Sequence, residues 1–139
     1  IFYSSEAIAS LLDSRDDLSM TYDPDWLKLW TRRFEDPLTD AETFKLNKEG
    51  TLLEIGNQPS SIEEVQGQYM GLLRFSPGGW AELVRISMSL SPEELDRISM
   101  TSMLQKIILE KSIPIRAIPF HGSWGEVDSV EDLEVYNTE

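Results

Sequence analysis

Apolar positions along this chain change their period repeatedly, and each change marks an expected element. Ile1-Phe2-Tyr3 opens as a short strand-like run. Ser4 or Ser5 then caps a helix through Leu12, with Ala7, Ile8, Leu11 and Leu12 spaced for one apolar face. Leu18 to Tyr22 alternates as a strand and stops at Asp23-Pro24. Pro24 suits a first helical turn with Asp23 as its cap, and Trp26 and Trp30, four apart, share one face of the helix that follows. Two strands, Thr43 to Leu46 and Thr51 to Ile55, flank the turn signal Asn47-Lys48-Glu49-Gly50. Gly67 to Phe75 reads as a strand whose glycines invite a bulge or a close backbone approach.

Helical spacing returns at Pro77 to Met88, where Trp80, Leu83, Val84 and Met88 are available for burial. Ser91-Pro92-Glu93-Glu94 starts a second helix with serine as cap and proline just inside. Thr101 to Lys111 is a third, with Met103, Leu104, Ile107 and Ile108 inward. Ile113 to Phe120 is the last long strand, and Pro114 and Pro119 near its ends favour an edge or an interrupted ladder. Ser129 and Asp132 then give a capping-box-like start to a final helix backed by Val130, Leu133 and Tyr136. No repeat or low-complexity stretch divides the chain, so residues 1–139 are expected to form one domain. Its class is α/β: a mixed sheet flanked by helices, with a β-hairpin insertion.

Composition narrows the partners. A net charge of −13, from 25 acidic and 12 basic residues, disfavours nucleic acid and anionic membrane surfaces. Small phosphorylated ligands survive that filter, because a bound Mg²⁺ inverts the local field. No apolar run approaches the length of a membrane span, and nothing at the start has the form of a signal peptide. With no cysteine there is no disulfide or thiolate metal site, and the cytoplasm is the default location. The apolar start without methionine suggests a cut inside a larger fold, which would leave an edge at Ile1 to Tyr3 for self-association into a homo-oligomer.

Candidate chemistry concentrates in His121-Gly122-Ser123-Trp124-Gly125-Glu126-Val127-Asp128-Ser129. This stretch runs from a strand end through a bend to a helix start, the place where open α/β sheets hold ligands. In an extended Glu-Val-Asp, Glu126 and Asp128 share a face while Val127 points inward. Two carboxylates so placed suit Mg²⁺, although two solvated acids at a loop edge are the commoner outcome. Trp26 and Trp30 are more often core than an aromatic wall for a quaternary ammonium or sugar ring. Arg32 and Arg33 suit phosphate, yet solvated or ion-paired arginines are more frequent. The lone His121 reads as a surface or packing histidine.

Five segments taken in order resemble one family. They are Asp23-x-Asp25-Trp26 with Trp30, Asp40-Ala41-Glu42-Thr43-Phe44, Gly67-Gln68-Tyr69-Met70-Gly71-Leu72, Thr101-Ser102-Met103-Leu104 and Trp124-x-Glu126-Val127-Asp128. Together they are similar to the later part of the small-molecule nucleotidyltransferases, in the phosphocholine cytidylyltransferase-like branch related to sugar-phosphate nucleotidyltransferases. The resemblance implies part of a GT-A/Rossmann-like nucleotidyltransferase fold, without the glycine-rich triphosphate loop and first metal aspartate that such enzymes carry earlier. It implies Mg²⁺-dependent transfer of a nucleotidyl group, CMP by preference, from a nucleoside triphosphate to a phosphocholine, phosphonate or sugar phosphate, with pyrophosphate released.

Residue by residue, Asp128 matches the family's second metal-binding aspartate, and Glu126 matches a position orienting the acceptor or a cationic head group. Trp26, Trp30 and Tyr69 match aromatic positions near the acceptor pocket. Glu42 and the Gly67 to Gly71 segment, Gln68 included, match acceptor-side elements. Ser99 departs from relatives that carry an acid there. The alternative is a non-catalytic acidic binding module that reuses the same scaffold.

Overall fold

A computed structural model describes residues 1–137. Its elements run β1 (Phe2–Tyr3), α1 (Ser5–Leu12), β2 (Leu18–Asp23), α2 (Trp26–Arg33), β3 (Phe44–Leu46), β4 (Leu52–Ile55) and β5 (Gln68–Phe75). They continue with α3 (Pro77–Ser87), α4 (Pro92–Arg97), α5 (Met100–Leu109), β6 (Arg116–Pro119), β7 (Trp124–Gly125) and α6 (Val130–Asn137). The chain is therefore mixed α/β.

β2 is the middle strand of a three-stranded sheet ordered β5-β2-β6, antiparallel to β5 and parallel to β6. β3 and β4 pair antiparallel across Asn47–Gly50, and β1 pairs antiparallel with β7. Phe2 faces Gly125 and Tyr3 faces Trp124 in that ladder, so β1 is paired along one side, while the Ile1, Phe2 and Tyr3 side chains stay exposed as expected.

The alternating pattern Leu-Ser-Met-Thr-Tyr-Asp of β2 serves two buried faces rather than one wet and one dry. Leu18 and Met20 join a core with Phe44, Leu52, Ile55, Ile86, Leu104 and Ile107. The polar side, Ser19, Thr21 and Asp23, is also buried, against the face that carries α1 and α2. A second core there gathers Ala7, Trp26, Trp30, Met70, Phe120 and Trp124. Burying polar groups requires partners. Ser19 bonds Ser14, and Asp23 accepts from the Trp124 indole. Thr21 Oγ1 has no partner among the described residues.

Several end signals read from the sequence form as expected. Ser91 and Glu94 make a reciprocal capping box on α4. Ser129 and Asp132 do the same at α6, with the shorter acid reaching back to the Ser129 N–H. Other expectations are corrected. Asp25, not Asp23, is the residue preceding the first turn of α2, while Asp23 accepts the Asp25 N–H at 2.7 Å as a local turn. Trp80, Val84 and Met88 on α3 are exposed, as are Val130 and Leu133 on α6, because no element covers those faces. A bulge does interrupt the β2–β5 register, and Gly71 lies inside β5 with φ +76°.

Candidate functional site

The carboxyl ends of the parallel strands β2 and β6 open into a cavity of about 520 Å³. Open α/β sheets hold ligands at such strand ends. After β2 the chain supplies Asp23 and Asp25, and after β6 it supplies His121, Gly122, Ser123 and Trp124. Lys28, Leu29 and Arg32 complete one wall with Asp25, at the i, i+3, i+4, i+7 spacing that puts residues on one helical face. A smaller hollow of about 360 Å³ beside α4 is lined by surface groups including Glu94, whose carboxylate is already spent on the helix cap. The strand-end cavity is the better candidate.

Asp23 forms its floor. Its side chain accepts from Trp124 Nε1 at 2.8 Å and from the Asp25 N–H, so both oxygens are held. Burial pushes its carboxyl pKa up, against those two bonds. At the rim, His121 Nδ1 and Asp25 Oδ2 meet at 2.9 Å, and both side chains remain about two-thirds exposed (67% and 69%). Lys28 is exposed and its ammonium makes no bond among the described residues. Arg32 donates to the Val135 carbonyl, tying α2 to α6.

None of the residues selected from the sequence as acceptor- or metal-binding lines this cavity. Trp26 and Trp30 are 3% and 0% exposed, so both are core, the commoner outcome for two tryptophans on one helical face, and neither offers a ring to the cavity as the resemblance implied. Trp26 Nε1 donates to the Val65 carbonyl and Trp30 Nε1 to Asp40. The cation over Trp30 is the protein's own Arg33, 4.9 Å from the ring centroid. Tyr69 packs against the first core and burial pushes its phenol up to about 12. Gln68 is half-buried and pairs with Asp23 across the ladder. What approaches Gly67 and Gly71 closely is the Tyr22 ring and the Ile1 side chain, not a vacant ligand site. Glu42 accepts from Thr101 Oγ1 at 3.1 Å, and its pKa is raised chiefly by burial.

Glu126 and Asp128 converge, but on an arginine. The Arg33 side chain is 1% exposed and contacts Asp132 at 2.8 Å, Asp128 at 3.0 Å and Glu126 at 3.4 Å. Asp132 also accepts the backbone N–H groups of Asp128 and Ser129. Burial disfavours the Arg33 charge, yet the bonds from Asp132 and Asp128 outweigh it and leave the guanidinium above its usual range. Those bonds hold Asp132 well below the usual carboxylate range against desolvation. Glu126 moves the other way, raised by burial and then by Asp128. Asp128 keeps 66% of its side chain exposed. The pair is therefore not two outward acids on one strand face, since residues 126–128 are irregular and Val127 is only half-buried.

No family model matches the chain. Over 97% of its length the chain is 34% identical to the CTP:phosphoglutamine cytidylyltransferase of Campylobacter jejuni. The chain is thus similar to part of a cytidylyltransferase. The match spans 55% of that relative, so the chain corresponds to about half of its length.

Sequence reasoning quoted Asp23-x-Asp25 for its resemblance but gave it no role. The available signal was positional, two acids closing a buried strand. His121 to Trp124 open the stretch singled out from the sequence and do line the cavity, whereas Lys28 carried no local signal, because the cavity arises only when β6 returns beside β2.

Proposed function

We propose that the protein serves CMP transfer from CTP to a phosphorylated small molecule, as the acceptor-side part of a GT-A/Rossmann-like nucleotidyltransferase acting in the cytoplasm. The observation that carries this reading is the identity maintained over almost the whole chain with a cytidylyltransferase. That relative's name gives CTP and phosphoglutamine, which supports adding a phosphorylated amino-acid amide to phosphocholine, phosphonates and sugar phosphates as acceptors to be tried.

In the reaction a phosphate oxygen of the acceptor attacks the α-phosphorus of CTP. A P–O bond forms, the α–β P–O bond breaks, and pyrophosphate leaves with the electron pair. The nucleophile is already anionic, so the chain's contribution is positioning and charge compensation rather than proton transfer. Asp23 and Asp25 are anchored to Trp124 and His121, which fixes the cavity before a ligand enters.

A divalent cation fits this reading at Asp128. Three carboxylates share the single Arg33 guanidinium, leaving the cluster with surplus negative charge, and Asp128 is its most exposed member. Among the described residues no three His, Cys, Asp or Glu side chains are arranged to hold a metal by themselves. One carboxylate suffices as the protein's share when phosphate oxygens and water fill the remaining Mg²⁺ positions. When bound, Mg²⁺ would neutralise charge on the phosphates. Tyr136 lines the cavity and its hydroxyl accepts the Glu126 N–H at 3.1 Å, which links this loop to the pocket wall.

The test is pyrophosphate release from CTP by the whole protein with Mg²⁺ and a panel of phosphorylated acceptors. Acceptor-dependent release supports the proposal. Acceptor binding with no release above background would instead favour a non-catalytic binding module.

A further inference from the structure

Asp128 is the most exposed carboxylate of the Arg33 cluster, yet it is fixed at both ends. Its backbone N–H donates to Asp132 Oδ2 at 3.0 Å, and its own Oδ2 accepts from Arg33 Nη2 at 3.0 Å. The second oxygen, Oδ1, makes no bond among the described residues. Asp132 anchors the arrangement by taking Arg33 in a fork, 2.8 Å from Nε and 3.1 Å from Nη2. The guanidinium lies in turn over the Trp30 and Phe34 rings, 4.9 Å and 5.0 Å from their centroids. It cannot follow a ligand outward without breaking all of these contacts.

For folding, the buried fork with Asp132 is enough. The further bond, to a largely exposed carboxylate, adds little stability, because water screens such a pair. What it does change is the field at Asp128. Glu126, Asp128 and Asp132 share one guanidinium, and the charge of Asp40 reaches Glu126 as well, so the cluster as a whole attracts cations. At Asp128 itself a fixed positive charge stands within hydrogen-bond distance, and like charges so close repel. A divalent cation arriving alone therefore meets one usable carboxylate and a cation already in place. Phosphate oxygens reverse that balance: they supply the ligands that a single carboxylate lacks and offset the guanidinium charge.

We infer that Arg33 is a positioning residue and resident counter-ion for Asp128, holding the carboxylate in place while keeping a divalent cation from settling there until phosphate accompanies it. This rests on the proposed Mg²⁺-dependent transfer and deepens it by giving an order of events: cation and nucleotide phosphate enter together. The same guanidinium keeps three mutually repelling acids assembled when no metal is bound.

The experiment follows Mn²⁺, used in place of Mg²⁺, by the electron spin resonance of the free ion. The whole protein is titrated with the metal alone, then with a non-hydrolysable CTP analogue against a protein-free control. The parent is expected to take up Mn²⁺ with the analogue and only weakly without it, and Asp128→Asn should remove the analogue-dependent uptake. Arg33→Gln should bind Mn²⁺ alone roughly tenfold more tightly than the parent, since the repelling charge is gone. Arg33→Lys keeps that charge and should stay close to the parent. Asp128→Asn added to Arg33→Gln should cancel the gain. A second route is the double variant Arg33→Met/Asp132→Asn, which removes the buried pair together and is expected to fold because it orphans neither charge of that pair. It should show a gain in the same direction, and its melting temperature should rise with added Mn²⁺ while the parent's stays level.

Tight Mn²⁺ binding by the parent alone overturns the inference. So does a gain that survives Asp128→Asn, an equal gain in Arg33→Lys, or no gain in either charge-removing variant. Acceptor-dependent pyrophosphate release by a parent that binds Mn²⁺ tightly without nucleotide would sink the counter-ion role and spare the transfer reaction. The expected Mn²⁺ pattern with no release from any acceptor would do the opposite.

Discussion

Along one face of α2, Arg33 is buried and surrounded by three carboxylates, while Trp26 and Trp30 fill the second core beside it. Along the other face, Asp25, Lys28 and Arg32 border a cavity, and the Lys28 ammonium and one Asp25 oxygen have no bond within the described chain. The eight residues of α2 and the Asp25 that precedes them thus carry a closed electrostatic site and an open one. In the closed site Arg33 and Asp132 are bonded internally, which stabilises one arrangement and leaves only the exposed Asp128 within reach of a ligand. In the open site capacity is left over at fixed positions, which is what recognition requires. Charge density alone did not separate the two. Burial and completed bonding did.

The largest test of the contrast is Arg33→Met. It leaves Asp132 buried beside Glu126 and Asp128 with no counter-charge. Removing one partner of a buried ion pair costs about 3–5 kcal/mol. The expected outcome is a melting temperature lowered by many degrees, with proteolysis first cutting the segment from Glu126 onward, since Arg33 is a principal tie between α2 and α6. A melting temperature close to the parent's would mean the cluster is not structural.

A medium effect is expected from Asp132→Asn, and it carries a sign in pH. Asp132 is held well below the usual carboxylate range, first by its Arg33 bonds. Its folded pKa is therefore depressed. The associated stability is fully present at neutral pH, begins to fall as pH drops below the ordinary aspartate value, and is lost through the folded pKa. Charge-assisted hydrogen bonds are worth about 1.5–3 kcal/mol, so parent and variant should differ by roughly 2 kcal/mol at pH 7. Chemical denaturation across an acid series should show the gap closing as pH falls. A constant gap would assign the effect to helix capping by Asp132 rather than to its charge.

How much of this was legible in the sequence follows from the range of each interaction. β2, the strand pair around Asn47–Gly50, the serine caps of α4 and α6 and the burial preference of Trp26 and Trp30 are local matters of period and capping, and they were readable. The site was not. Asp23 and Trp124 are 101 residues apart, Arg33 and Asp132 are 99 apart, and Asp25 and His121 are 96 apart. Period-based reading has no term for such pairs. It placed Glu126 and Asp128 correctly on one locus but could not see the arginine that claims them. It also cannot tell a covered apolar face from an uncovered one, which is why Trp80 and Met88 were expected inside.

The smallest effect sharpens the comparison at a third location. Glu42 was matched to the acceptor side by resemblance, yet it is a half-buried acid bonded to Thr101. Its pKa is raised, by burial first, with the Thr101 bond opposing and Asp40 adding to the rise. A raised carboxyl makes the folded state pay for ionisation above the ordinary glutamate pKa, and the penalty disappears once pH falls below that value. Glu42→Gln keeps an acceptor oxygen for Thr101 while removing the charge. The variant should therefore melt at the same temperature or slightly higher at pH 7, with the advantage vanishing in acid. Acceptor-dependent pyrophosphate release should be unchanged, because Glu42 does not line the cavity. A loss of release at unchanged stability would move the acceptor toward α5 and break the division between closed and open sites drawn from α2.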